Sequence, residues 1–294
     1  MLTLKKIITA ALLEDHALND ITSDLIIPKN TLVTFEINAR EEIIFCGAEI
    51  ILEVFSQLKK SSPRGKFKNS KLDLKILVKD GAKLAAKKTI VRGCGDAKLI
   101  FAGERVILNL IQHLSGVATL TGKFVETLGN KKIQILDTRK TLAGLRELQK
   151  YAVKTGGGKN HRMNLSDLIL VKDNHIAAAG GIKNAIAAAK KTQKKIQIEV
   201  ECDNFEQVAE AVSASPNIIM LDNMQPAEIK KCAALIRKKS PKIKIEISGG
   251  ITLTNIKNFS QLDVDFISVG ALTHSAKAVD IGLDVVELST PHNS

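Results

Sequence analysis

Two short apolar runs near the middle of the chain each end in a cluster of charge. Ile133 to Leu136 runs into Asp137-Thr138-Arg139-Lys140, and Leu168 to Val171 runs into Lys172-Asp173-Asn174-His175. Between them stand Gly156-Gly157-Gly158, Lys159, His161 and Arg162. Apolar runs of this length predict buried strands. If the strands are parallel neighbours, their ends share one rim, and that rim is where α/β folds bind ligands. Arg139, Lys140, Arg162 and Lys172 gathered there suit a polyanionic small molecule. Arginine grips planar carboxylates with two parallel hydrogen bonds, and lysine offers a point charge to phosphate. Lys150 and Lys154 fall at i, i+4 spacing with Arg146 and are expected on a solvated helix face. Leu142, Leu145, Leu148 and Ala152 would form the apolar stripe of that helix.

Further strand ends carry matching chemistry. Runs ending at Glu201 and Asp222 add two carboxylates, which suit ribose hydroxyls, charge balance or a divalent cation bound mainly through substrate phosphates. Ser248-Gly249-Gly250 ends the next run, and its small residues let backbone N–H groups approach an oxyanion closely. Val269-Gly270-Ala271 follows at the last strand, and the late loops of a barrel favour phosphate.

The elements that must position these residues fall into two patterns. From Ile133 onward, apolar runs alternate with helical stretches. The runs are 133–137, 168–171, 196–201, 218–222, 243–248 and 266–270. The helices are 181–191, 205–213, 226–239 and 253–259. This alternation predicts parallel βα units. The first part differs. Leu4, Ile7, Ile8, Ala11 and Leu12 predict an amphipathic helix, and strands are expected at 31–39, 43–46, 72–78 and 89–93, with a helix at 47–58. Residues 59–70 read as an exposed loop. Asp96 caps a helix to Leu114, Ser115-Gly116 interrupts it, and Val117 to Leu128 continues as a second helix. Asn109, in an otherwise apolar segment, is expected in a structural hydrogen-bonding role. The first part is therefore an α+β sandwich.

Composition narrows the function classes. The chain has 294 residues and a formal net charge of +12, from 43 Lys and Arg against 31 Asp and Glu. Such a balance invites nucleic acid, an anionic membrane or an anionic substrate. With no Trp and one Tyr, stacking platforms for single strands are scarce, and no nucleic-acid motif is present. No apolar run approaches a membrane span. Cys46, Cys94, Cys202 and Cys232 lack metal or redox spacing and read as free thiols of a cytoplasmic protein.

The segments TRKT, GLR, KYAV, GGGKNHR and VKDNHI, in this order and spacing, resemble the quinolinate phosphoribosyltransferases. Glu104-Arg105, Leu108-Asn109 and Ser115-Gly116-Val117-Ala118-Thr119 extend the likeness. Two departures are mild: Leu142-Ala143 where the family has a Pro before Gly144, and Asn19 where it has Gly before Asp20. The resemblance implies an incomplete α/β barrel, which six strands fit. The residue pattern itself divides the chain into an N-terminal α+β domain at 1–114, to which 275–294 returns through a weakly alternating strand at 280–288, and the barrel at 115–274. The resemblance implies transfer from 5-phosphoribosyl-1-pyrophosphate to quinolinate, with loss of CO2, giving nicotinate mononucleotide. Arg105, Arg139 and Arg162 are the candidates for the two carboxylates, with His161 and Lys172 near them. Thr138, Lys140, Glu201, Asp222 and the two glycine loops fall to the phosphoribosyl side, and Lys140 and Lys172 could instead stabilise charge on the ring. Mg2+ would ride on the pyrophosphate near Glu201 and Asp222. The resemblance also implies a homodimer in which Arg105 completes the site of the other subunit. A phosphoribosyltransferase acting on another carboxylated ring is the alternative within this chemistry.

Overall fold

The computed structural model describes residues 3–60, 66–191 and 196–289. The chain divides into two compact units. The first comprises Met1–Leu120, Leu142–Gly156 and Ala276–Ser294; the second comprises Thr121–Thr141 and Gly157–Ser275.

The first unit begins with helices α1 (Leu4–Glu14) and α2 (Ile21–Ile26). Strands β1 (Leu32–Ala39), β2 (Ile43–Ile44), β3 (Leu72–Ile76), β4 (Lys83–Leu84) and β5 (Thr89–Asp96) follow, with α3 (Ala48–Lys60) after β2. Residues 59 and 60 thus extend the helix rather than the expected loop, and 61–65 of that loop lie outside the described residues. The C-terminal strand Ile281–Ser289 pairs antiparallel with β1 and forms the edge of a four-stranded sheet completed by β5 and β3. Burial alternates along β1, placing Val33, Phe35, Ile37 and Ala39 inside. That period of two is the signature of a sheet covered on one face. Helix α3 supplies Ile51, Val54, Phe55 and Leu58 to the core.

Helix α4 runs unbroken from Ala97 to Leu128, so the expected interruption at Ser115-Gly116 does not occur. Both residues are small for packing reasons. Buried Ser115 accepts the Cys46 N–H with its Oγ at 3.0 Å. A Cβ on Gly116 would lie 2.0 Å from the Lys277 carbonyl oxygen. Asp96 does cap the helix, its Oδ1 accepting the Lys98 N–H at 2.9 Å. Asn109 is exposed, so burial does not demand hydrogen-bond partners of it.

The segment after β6 (Gln134–Leu136) was expected to be helical from Leu142. Helix α5 instead spans Arg146–Thr155. The Leu142 N–H is held by the Gln149 side chain at 2.9 Å, and Gly144 turns the chain at φ +81°. Lys154 is exposed, but Lys150 is fully buried. The surface expectation for Lys150 is therefore corrected: it lies on the inward side of α5 with Val153 and Gln149.

The second unit holds β6, β7 (Ile169–Val171), β8 (Ile198–Cys202), β9 (Ile218–Asp222), β10 (Lys244–Ser248) and β11 (Phe266–Ser268). Helices α6 (Asp173–Ala179), α7 (Ile182–Lys190), α8 (Phe205–Ala214), α9 (Pro226–Lys239) and α10 (Ala271–His274) fall between or after them, before the terminal strand, β12. Helices α6 and α10 were not anticipated, and the expected helix at 253–259 is a 3-10 turn over Ile256–Phe259. The sheet order is β6-β11-β10-β9-β8-β7, with every pairing parallel. Strands first and second in sequence stand at opposite edges, so the ring is closed at every joint but one. This is an incomplete α/β barrel.

Candidate active site

Strand alternation decides which side chains point into this barrel. On β8, Ile198, Val200 and Cys202 share one face, and Glu199 and Glu201 share the other. On β9 and β10 the second face carries Met220 and Asp222, then Glu246 and Ser248. Leu170, Lys172, Glu201, Met220, Asp222, Ser248 and Ser268 line one cavity of about 390 Å3 at the strands' carboxyl ends. Thr138, Arg139, Lys140, His161 and Arg162 complete its wall.

Each wall residue has a local cause. Lys159 pairs with β6, its N–H donating to the Ile135 carbonyl at 2.8 Å. Buried Asp137 then accepts the His161 N–H at 2.9 Å and bonds the Asn160 amide. The Gly-rich loop is thereby tied against β6, and His161 and Arg162 follow into the cavity. Thr138 Oγ1 accepts the Lys140 N–H at 3.0 Å, and Thr273 donates its hydroxyl to the Lys140 carbonyl at 2.8 Å. The Lys140 stem passes over Gly270, where a Cβ would come 3.2 Å from Lys140 Cδ. Lys172 reaches across to Glu201, with Nζ 2.6 Å from Oε2.

Charge shapes the cavity. Burial and the neighbouring Arg139 hold the Arg162 guanidinium below its ordinary pKa, while Glu199 opposes them. Two crowded guanidiniums in a half-dry wall gain from a doubly anionic ligand. Opposite them, carboxylate oxygens of Glu201, Asp203 and Asp222 lie within 4.8 Å of one another. This all-oxygen, partly open cluster fits a Mg2+ that keeps waters and substrate phosphates as its other ligands.

Nine of the expected site residues therefore meet in the cavity: Thr138, Arg139, Lys140, His161, Arg162, Lys172, Glu201, Asp222 and Ser248. Gly249, Gly250, Gly270 and Ala271 lie on the loops leaving its wall and do not line it. Val269 is buried, and its N–H is spent on the Leu136 carbonyl at 2.9 Å. Arg105 is exposed on α4 of the first unit, lining a groove there with Ile7, Glu14, Asn109 and Gly144. The sequence reading missed Asp203, Ser268 and two buried acids, Glu199 and Glu246. The signal for the acids was present: each is a carboxylate flanked by apolar residues inside a strand, where charge is rarely fully buried without a partner.

Family models for quinolinate phosphoribosyl transferase match the chain twice, the N-terminal domain over residues 20–115 and the C-terminal domain over 117–284. The chain belongs to the quinolinate phosphoribosyltransferase family. It is 44% identical over 285 residues to a probable nicotinate-nucleotide pyrophosphorylase (carboxylating) of Bacillus subtilis, covering 97% of this chain and 94% of that one. Identity to a similarly named protein of Methanocaldococcus jannaschii is 41%, covering 96% of each. Among solved structures, the nicotinate-nucleotide pyrophosphorylase of Francisella tularensis superposes with a TM-score of 0.88 at 39% identity, covering 96% of this chain and 95% of that one. The Ehrlichia chaffeensis enzyme gives 0.87 at 41%, covering 96% and 98%. As a phosphoribosyltransferase of this family, the chain has a barrel mouth with the charge its substrates require.

Proposed function

We infer that this chain catalyses phosphoribosyl transfer from 5-phosphoribosyl-1-pyrophosphate to quinolinate, with decarboxylation, in NAD biosynthesis. The observation that carries the reading is the meeting of Arg139, Arg162, Lys140 and Lys172 with Glu201 and Asp222 around one cavity.

In the proposed reaction, Arg139 and Arg162 grip the two ring carboxylates and orient the pyridine nitrogen. Its lone pair attacks the anomeric carbon while the bond to pyrophosphate breaks, and that electron pair leaves with the pyrophosphate. The bond to the neighbouring carboxylate then breaks and CO2 departs. The electron pair stays on the ring carbon beside the quaternised nitrogen and takes up a proton. The substrate is its own electron sink, so no covalent nucleophile is required. Glu201 and Asp222 would hold Mg2+, which when bound offsets charge on the pyrophosphate. Lys140 and Lys172 supply fixed positive charge to the phosphates or the ring. The Ser248-Gly249-Gly250 loop and Gly270-Ala271 cradle the terminal phosphate.

The same reading makes the active form a homodimer, with Arg105 completing the partner's quinolinate site. Cyclic pairs are the commonest assemblies, and Arg105 is exposed on α4 beside Asn109. Four free cysteines support a reducing, cytoplasmic setting, and among the described residues no helix is long and apolar enough to cross a membrane. The test of the reading is mass detection of nicotinate mononucleotide formed by purified protein from quinolinate, phosphoribosyl pyrophosphate and Mg2+.

A further inference from the structure

Two carboxyl groups lie inside the barrel, one layer below its mouth, and the transfer chemistry does not call on them. Glu199 on β8 is 0% exposed and Glu246 on β10 is 1% exposed. Alternation sets Glu199 beneath Glu201 and Glu246 beneath Ser248, and both upper residues line the cavity. His161 joins the pair to the cavity. Its Nε2 stands 3.1 Å from Glu199 Oε2 and 3.5 Å from Glu246 Oε1. Its other nitrogen, Nδ1, accepts the Arg162 backbone N–H at 2.7 Å. A ring nitrogen that accepts an N–H carries no proton, so the ring proton sits on Nε2 and faces the acids. His161 thus stands as a spacer between the acids and Arg162.

Two carboxylates this close in a dry interior do not both ionise near neutral pH. Glu246 is the one that keeps a proton, because burial and the neighbouring Glu199 raise it against the pull of the Ser268 hydroxyl on its Oε1. Glu199 opposes the repulsion that Arg139 exerts on the Arg162 guanidinium. We propose that Glu199 and Glu246, the latter as a neutral carboxylic acid, are positioning residues for quinolinate. They fix His161 as the Nε2–H form, and His161 in turn fixes the backbone that delivers Arg162. The proposal rests on reading the cavity as the quinolinate site.

A pH dependence follows. Burial first, and then the charge of Glu199, push the Glu246 carboxyl up to about 8, while His161 and the Ser268 hydroxyl pull the other way. Met220, beside Glu246 in register on β9, is uncharged. Above that pH the Glu246 carboxyl adds negative charge beneath a site for a dianion. Quinolinate affinity then falls, and phosphoribosyl pyrophosphate, held at the rim, is affected less.

The test is steady-state kinetics of wild type, E246Q and E199Q from about pH 7 to about pH 9, with circular dichroism as the fold control. Gln imitates the neutral acid. The expected result is a wild-type KM for quinolinate that rises several-fold across this range. E246Q should hold the wild-type neutral-pH value throughout. E199Q should lose quinolinate affinity at every pH, with KM for phosphoribosyl pyrophosphate near normal. A flat wild-type profile, an E246Q profile parallel to wild type, or an E246Q protein that is misfolded or loses quinolinate affinity at neutral pH would each overturn the proposal. A folded E199Q with unchanged quinolinate KM would do the same. A wild-type protein that forms no nicotinate mononucleotide would instead overturn the reading of the site.

Discussion

The glycine loop after β10 separates a folding role from a binding role within two residues. Gly249 has φ +92°, and a Cβ there would lie 2.1 Å from Asn223 Oδ1 and 2.8 Å from the Asn223 nitrogen. Gly250 has φ +63°, and a Cβ there would have no atom within 4 Å. A left-handed conformation costs an L-residue roughly 1–2 kcal/mol, and overpacking adds roughly 1–3 kcal/mol. Gly249→Ala should therefore cost about 2–5 kcal/mol of stability, so Gly249 cannot be replaced to probe the ligand alone. Gly250→Ala should cost only about 1–2 kcal/mol, because φ +63° lies in the small left-handed region open to other residues. Its methyl group would stand where the loop meets the proposed phosphate. Loss of one charge-assisted hydrogen bond is worth about 1.5–3 kcal/mol, or a rise of about tenfold to a hundredfold in KM for phosphoribosyl pyrophosphate. Urea unfolding and initial-rate kinetics on both variants measure the two effects separately. A folded Gly250→Ala protein with normal affinity for phosphoribosyl pyrophosphate would show the loop to be a turn and nothing more.

Four further outcomes are expected. Arg139→Ala and Arg162→Ala should each weaken quinolinate binding by about tenfold or more and phosphoribosyl pyrophosphate binding far less; calorimetry with each ligand decides it, and unchanged quinolinate affinity in both removes the assignment. Arg105→Ala and Lys140→Ala should be nearly inactive alone, yet random re-pairing of equal amounts should restore roughly a quarter of wild-type activity if Arg105 acts across the dimer; hybrids confirmed by native mass spectrometry that show no recovery exclude the shared site. The Glu246 carboxyl lies above its ordinary value of 4.5, at about 8, so its stabilising contribution is full below the unfolded pKa and is lost as pH rises through the folded one. The unfolding free energy of wild type, from urea titration, should thus fall relative to that of E246Q between those values, by an amount on the order of a few kcal/mol, and parallel curves would contradict the buried acid. Gly116→Ala should lower stability by about 1–3 kcal/mol, read by thermal unfolding, because the added methyl meets the Lys277 carbonyl.

The barrel strands were legible because each is a short apolar run buried on both faces, and periodicity reports burial directly. The observed strand β9 has the bounds the sequence suggests, and the others differ by a few residues at their ends. The cations at strand ends were legible because topology sends parallel strand ends to one side. What stayed hidden depends on distant partners. Ser115-Gly116 looks like a break, but Cys46 and Lys277, far away in sequence, are what make small residues necessary there. Lys150 looks like surface because helical spacing pairs it with Arg146 and Lys154, while the packing of α5 turns it inward. Glu199 and Glu246 lie in different strands, and only the sheet order brings both to His161. Arg105 was singled out by resemblance alone, since no local pattern on α4 distinguishes it from an ordinary exposed arginine.

Assay of the labelled reaction decides the function. Purified protein would be incubated with quinolinate labelled in the carboxylate borne by the ring carbon adjacent to nitrogen, phosphoribosyl pyrophosphate and Mg2+, with mass detection of products. The account predicts nicotinate mononucleotide, pyrophosphate and labelled CO2 in equal amounts, and no product when quinolinate is replaced by nicotinate. Absence of nicotinate mononucleotide from active, folded protein, or its formation without release of CO2, would contradict it.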